Sequence, residues 1–86
     1  MGILHVVSNP AAVESCLAAV SDGDAVLLVG DGAFAQDIAP HPGIRFGVLK
    51  EDTARRGLEP SAALEALSYA GFVEWAAEFS KSVTWR

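Results

Sequence analysis

The chain is poor in the residues that chemistry most often uses. Its 86 residues include one cysteine, Cys16, one tyrosine, one methionine and two histidines, His5 and His41. A lone cysteine excludes an internal disulfide. Neither histidine has a cysteine, a second histidine or a carboxylate at ligand spacing, so neither a metal nor a cofactor is expected. Positive charge is scarce as well. Six basic residues stand against eleven acidic ones, for a net charge of −5. Neutralising phosphates takes a basic stripe, so direct binding of nucleic acid is not expected. Arg45, Lys50, Arg55 and Arg56 cluster mid-chain and read as solvated surface. No apolar run approaches the roughly 20 residues of a membrane span. The start of the chain has neither the charged segment nor the cleavage site of a signal peptide, which makes the cytoplasm the simplest compartment. Repeats, linkers and low-complexity segments are also missing, so residues 1–86 read as one domain.

Apolar residues, in contrast, are abundant, at 51% of the chain. A chain this short buries only about 60–65% of its unfolded surface. Some apolar side chains are therefore left over for an interface, and an oligomer is expected.

The order of elements follows from punctuation and periodicity. Ile3 to Val7 is a strand; Ser8 and Asn9 are good caps and Pro10 suits a first helical turn, so a helix runs from Pro10 to Val20. Val13, Leu17 and Val20 form its apolar stripe. Ser21-Asp22-Gly23-Asp24 is a turn, and Ala25 to Val29 is a continuous apolar run, as in a strand covered on both faces. Gly30-Asp31-Gly32 ends it, Ala33 to Ala39 reads as a short helix, and Pro40-His41-Pro42-Gly43 forces a loop. Ile44 to Leu49 is a third strand and Glu51 to Arg56 a helical turn closed by Gly57. Between Ala62 and Tyr69 a helical start gives way to a short strand near Glu65 to Ser68. From Gly71, residues Phe72, Trp75, Ala76 and Phe79 fall on one face of a last helix, and Ser82 to Arg86 is an extended tail carrying Trp85. This alternation implies an α/β fold, a small mostly parallel sheet flanked by helices. In such sheets the working site lies at the carboxyl ends of the strands.

Cys16 is the candidate nucleophile. It lies on the first helix, after the opening strand, which places the thiol beside the carboxyl edge of the sheet. With Val13 at the centre of the stripe, Cys16 is about 60° to one side, at the margin of the core. Two readings stand: a small buried filler, or a thiol that accepts and passes a group. The second needs access and a lowered pKa, and no basic residue near it in sequence supplies one. Gly30-Asp31-Gly32 lacks the rest of a phosphate-binding fingerprint and reads as a plain turn. His5, inside a strand, reads as a hydrogen-bonded core histidine. Glu74 and Glu78 read as solvated. Trp85, a large aromatic in an extended tail, is expected to be docked, on a partner or on its own fold. Trp85, Phe72 and Trp75 are the candidate interface residues.

Together these segments resemble the DsrH/TusB family. The resemblance is carried by Leu4-His5-Val6-Val7-Ser8-Asn9, by Glu14-Ser15-Cys16-Leu17 and by the run from Asp22 to Leu28. It continues in Gly30-Asp31-Gly32, Val48-Leu49 with Asp52, Ala54-Arg55-Arg56-Gly57-Leu58, Tyr69-Ala70-Gly71-Phe72-Val73 and Trp85. This chain is shorter than usual between its second and third strands and before Tyr69. The resemblance implies a flavodoxin-like subunit of a hexamer holding two copies each of three homologous small proteins. Its partners would be DsrE/TusD-like and DsrF/TusC-like subunits, with a DsrC/TusE-like sulfur acceptor. Such complexes pass persulfide sulfur, for 2-thiolation of the tRNA wobble uridine or in dissimilatory sulfur oxidation. The principal sulfur-carrying cysteine lies on the DsrE/TusD-type partner. Cys16 matches a helix cysteine of DsrH-type members, which some TusB-type members lack, and is a candidate auxiliary persulfide carrier. Two other classes stay open: a non-catalytic interaction module with Cys16 as filler, and an independent small-molecule enzyme, for which no acid–base pair or cofactor fingerprint is visible.

Overall fold

The computed structural model describes residues 2–39 and 41–86. Five strands form one sheet in the order β4-β3-β2-β1-β5: β1 Ile3–Val7, β2 Ala25–Leu28, β3 Arg45–Leu49, β4 Glu65–Leu67 and β5 Lys81–Trp85. All four pairings are parallel, with Leu4 opposite Ala25, Val26 opposite Phe46, Val48 opposite Ala66 and Val7 opposite Trp85. The helices are α1 Val13–Ala19, α2 Lys50–Arg55 and α3 Tyr69–Glu78, with 3-10 turns over Pro10–Ala12 and Gly30–Ala35. Strands β1 to β4 are laid down in one direction, and the chain then crosses back to add β5 on the far side of β1. The strand order reverses between β1 and β5, where open α/β sheets usually leave a crevice.

Side-chain alternation builds two cores. Val7, Val26, Leu28, Phe46 and Val48 face Val13 and Cys16 of α1, together with Ala33 and Leu64. On the opposite face Leu4, Ala25 and Leu27 meet Trp75 of α3. Gly47 makes room for that indole, since a Cβ there would lie 2.9 Å from Trp75 Cη2. Every residue of β2 is buried, which is why it reads as an unbroken apolar run.

Several boundaries differ from the sequence expectation. The first helix is shorter than Pro10 to Val20. Asn9 caps Ala11 N–H at 2.9 Å and starts a 3-10 turn, and Val20 is already extended. The helix expected over Ala33 to Ala39 is instead the 3-10 turn at Gly30–Ala35. Pro40 of the expected loop lies outside the described residues. The helical start expected from Ala62 does not form between α2 and β4. Gln36 Oε1 accepts Ser61 N–H at 2.8 Å and the Ser61 hydroxyl accepts Ala63 N–H at 3.2 Å, so residues 61–63 make a turn that drops Leu64 into the core. The last helix begins at Tyr69, two residues early, because Ser68 Oγ caps Gly71 N–H at 3.1 Å. The extended tail is a full strand of the sheet.

Candidate functional site

The carboxyl edge of β2 and β3 is filled by the chain itself. Asp52, buried at the start of α2, accepts Gly30 N–H at 2.7 Å. Arg56 donates to Asp31 Oδ1 from Nε at 3.1 Å and Nη2 at 2.9 Å, and to the Asp52 carbonyl at 3.1 Å. Gly32 passes so close to β1 that a Cβ would overlap the Val7 carbonyl oxygen. The Gly30-Asp31-Gly32 segment is thus a tight turn. Of the mid-chain basic cluster, Arg45 pairs with Glu78 at 2.9 Å and lies over the Trp75 ring at 4.4 Å. Arg55 and Arg56 pair with Asp52 and Asp31. The three arginines of the cluster are paired in place, Lys50 is left without an ion pair among the described residues, and no basic stripe forms.

Cys16 is not at the carboxyl edge or the margin of the core; it is completely buried. The helix runs back toward the amino ends of the strands, which carries Cys16 away from the loops that follow β1 and β2. Burial pushes its thiol up from 9.0 to about 11, and the Asp24 carboxylate adds to the rise. At neutral pH the raised thiol is held protonated, and the thiolate is the form that attacks sulfur.

The most connected polar group lies close by and was not assembled from the sequence. Trp85 Nε1–H donates to His5 Nδ1 at 3.1 Å, and His5 Nε2 lies 3.0 Å from Asp24 Oδ2. Asp24 also accepts Ile3 N–H at 2.8 Å and Ser21 N–H at 3.0 Å. His5 and Asp24 are both buried. Burial acts to raise the Asp24 pKa, but the bonds from His5, Ile3 and Ser21 outweigh it and hold the carboxyl below its ordinary 3.8. The signal in the sequence was indirect: Asp24 precedes β2, and only the parallel β1–β2 register brings it beside β1.

Of the candidate interface residues, Trp75 is placed in the core, 3% exposed, because the α3 stripe that carries it covers the sheet. Phe72 is half-buried against the same core. Trp85 is docked on its own fold through His5 and remains half-exposed. Among the described residues the exposed large apolar side chains are instead Phe34, Tyr69, Val73 and Val83. His41 packs near Phe46 with ring centres 5.9 Å apart. An open groove of about 600 Å³ between α2 and residues 57–60 is lined by Lys50, Glu51, Thr53, Leu58 and Pro60. Among the described residues there is no cluster of three metal-ligating side chains, and no helix is long and apolar enough to cross a membrane.

Compared with known protein families, the chain matches the model described as DsrH like protein over residues 7–82, nearly its whole length. No match was found among curated proteins.

Proposed function

The chain belongs to the DsrH-like family of sulfur-relay subunits, and from that premise we propose that it is a mainly structural subunit of a cytoplasmic heterohexameric sulfurtransferase complex. The partners are DsrE/TusD-like and DsrF/TusC-like subunits, and the complex hands persulfide sulfur to a DsrC/TusE-like acceptor, in service of 2-thiolation of the tRNA wobble uridine. The observation that carries this reading is the family match over residues 7–82. The chemistry of the transfer is compatible with a supporting role. An acceptor thiolate attacks the outer sulfur of a donor persulfide, the donor S–S bond breaks, and the donor leaves as a thiolate. A buried Cys16 whose thiol is raised to about 11 supplies neither access nor thiolate while α1 is packed. Carriage of sulfur on Cys16 is therefore an auxiliary role that needs α1 to open.

A native mass spectrum of the complex from its own cells tests the assembly. Three different small subunits in a hexamer support the reading, and a lone monomer or homo-oligomer refutes it. Deleting the chain should remove 2-thiouridine from bulk tRNA. Intact thiolation with impaired sulfur oxidation would move the chain to the dissimilatory branch. Carriage of sulfur on Cys16 is tested separately by Cys16→Ser: unchanged sulfur flux refutes it and leaves the chain a structural subunit.

A further inference from the structure

Strand β5 is an open edge of the sheet, and one bond fixes which of its groups face outward. Ser8 N–H donates to the Trp85 carbonyl at 2.9 Å, in the register that sets Val7 opposite Trp85. Along a parallel strand, successive residues turn their backbone groups toward the neighbour and away from it by turns. Lys81, Val83 and Trp85 therefore point N–H and C=O at β1, while Ser82, Thr84 and Arg86 point theirs outward. No strand pairs with that side among the described residues. Residues 81–84 are all exposed, and Val83 is 40% exposed. Proteins usually blunt such an edge with proline, a bulge, a covering loop or charged side chains, lysine above all, and here charge stands only at the two ends of the strand, on Lys81 and Arg86. β5 contains no proline, and it is pinned by the Trp85–His5–Asp24 bonds, so the edge is presented in order.

Charge says what fits beside it. Arg45, Arg55 and Arg56 are each paired with a carboxylate, whereas Lys50, Lys81 and Arg86 form no ion pair among the described residues. In a chain of net charge −5, two of these three cations bracket one open strand. A second copy is a poor occupant. Antiparallel pairing of β5 with itself about Val83 sets Lys81 opposite Trp85 and Ser80 opposite Arg86, so the β5 of a second copy offers neither cation a carboxylate.

We infer that β5 is a docking strand, and that an extended segment of a different protein, acidic at both ends, adds beside it as a sixth strand. Backbone bonds to Ser82, Thr84 and Arg86 supply the attachment, and Lys81 and Arg86 select acidic flanks. The inference rests on the heteromer reading and specifies the chemistry of the partner.

Ser82→Pro and Thr84→Pro each remove one outward N–H and leave the donors to β1 in place. Lys81→Glu with Arg86→Glu reverses the flanking charge without touching the backbone. The complex is assembled from separately purified subunits and followed by native mass spectrometry, with amide exchange of the chain alone and in the complex. We expect each proline variant and the charge reversal to weaken assembly about tenfold or more. The Ser82 and Thr84 amides should become protected only in the complex. Unchanged assembly of the charge-reversed chain together with unprotected amides overturns the inference alone. A wild-type chain that forms no heteromer overturns the relay reading and this inference with it. A homodimer disrupted by Thr84→Pro overturns the assignment of an acidic partner.

Discussion

Trp85 Nε1–H donates to His5 Nδ1 at 3.1 Å across 80 residues of sequence. An indole nitrogen only donates, so Nδ1 is the accepting nitrogen and the ring proton sits on Nε2, aimed at Asp24. One histidine thereby ties the last strand to the first and both to the turn before β2. The bond fixes the edge of the sheet where the strand order reverses.

Trp85→Phe keeps an aromatic ring, though a smaller one, and leaves Nδ1 of the buried His5 without a donor. An unsatisfied buried acceptor costs about 1–3 kcal/mol. Urea unfolding should show that loss, and a cycle with His5→Phe should give a coupling of about 0.5 kcal/mol or more. Additive losses would mean that the bond contributes nothing.

Asp24 makes stability depend on acid. Its carboxyl titrates below 3.8 in the folded chain and near 3.8 when unfolded. Above pH 3.8 both states are ionised and the full contribution is present. It is lost as pH falls below 3.8 through the lowered folded value. Asp24→Asn should flatten this part of the stability profile, measured by denaturation between pH 2 and pH 6, the range of roughly two units to either side.

Cys16 has the opposite dependence. Its folded thiol titrates near 11 and its unfolded thiol near 9.0. Stability is complete below pH 9.0 and falls as pH rises through about 11. The loss approaches about 3 kcal/mol, at roughly 1.4 kcal/mol per pH unit. Cys16→Ala should remove that slope. At neutral pH the native thiol should also react with a disulfide reagent at least about a hundredfold more slowly than the urea-unfolded chain. Equal rates would show that α1 opens freely.

Gly47→Ala should destabilise the chain by about 1–3 kcal/mol, because the new methyl meets Trp75 Cη2 at 2.9 Å and the Glu65 carbonyl at 3.3 Å. A shifted Trp75 fluorescence maximum would accompany it. Combining Gly47→Ala with Trp75→Phe should recover part of the loss relative to the sum of the two single changes, since the smaller ring frees the space.

The sequence by itself determined the class of the fold. The apolar run Ala25 to Val29 has the length and pattern expected of a strand covered on both faces, and the cap at Asn9, the turn at Gly23 and the stripe on α3 placed helices between strands. The family motifs along the chain led to the same conclusion before any contact was known. Tertiary structure decided the details that bear on chemistry. Whether Cys16 is reachable depends on how α1 lies across the sheet, and packing buried it. Trp75 and Trp85 have the same side chain, yet one became core and the other a strut on His5, because α3 covers one face while β5 closes an edge. Local sequence reports period and caps, which arise from neighbours along the chain. The Trp85–His5–Asp24 contacts depend on strand register between segments far apart in sequence, which no local pattern encodes.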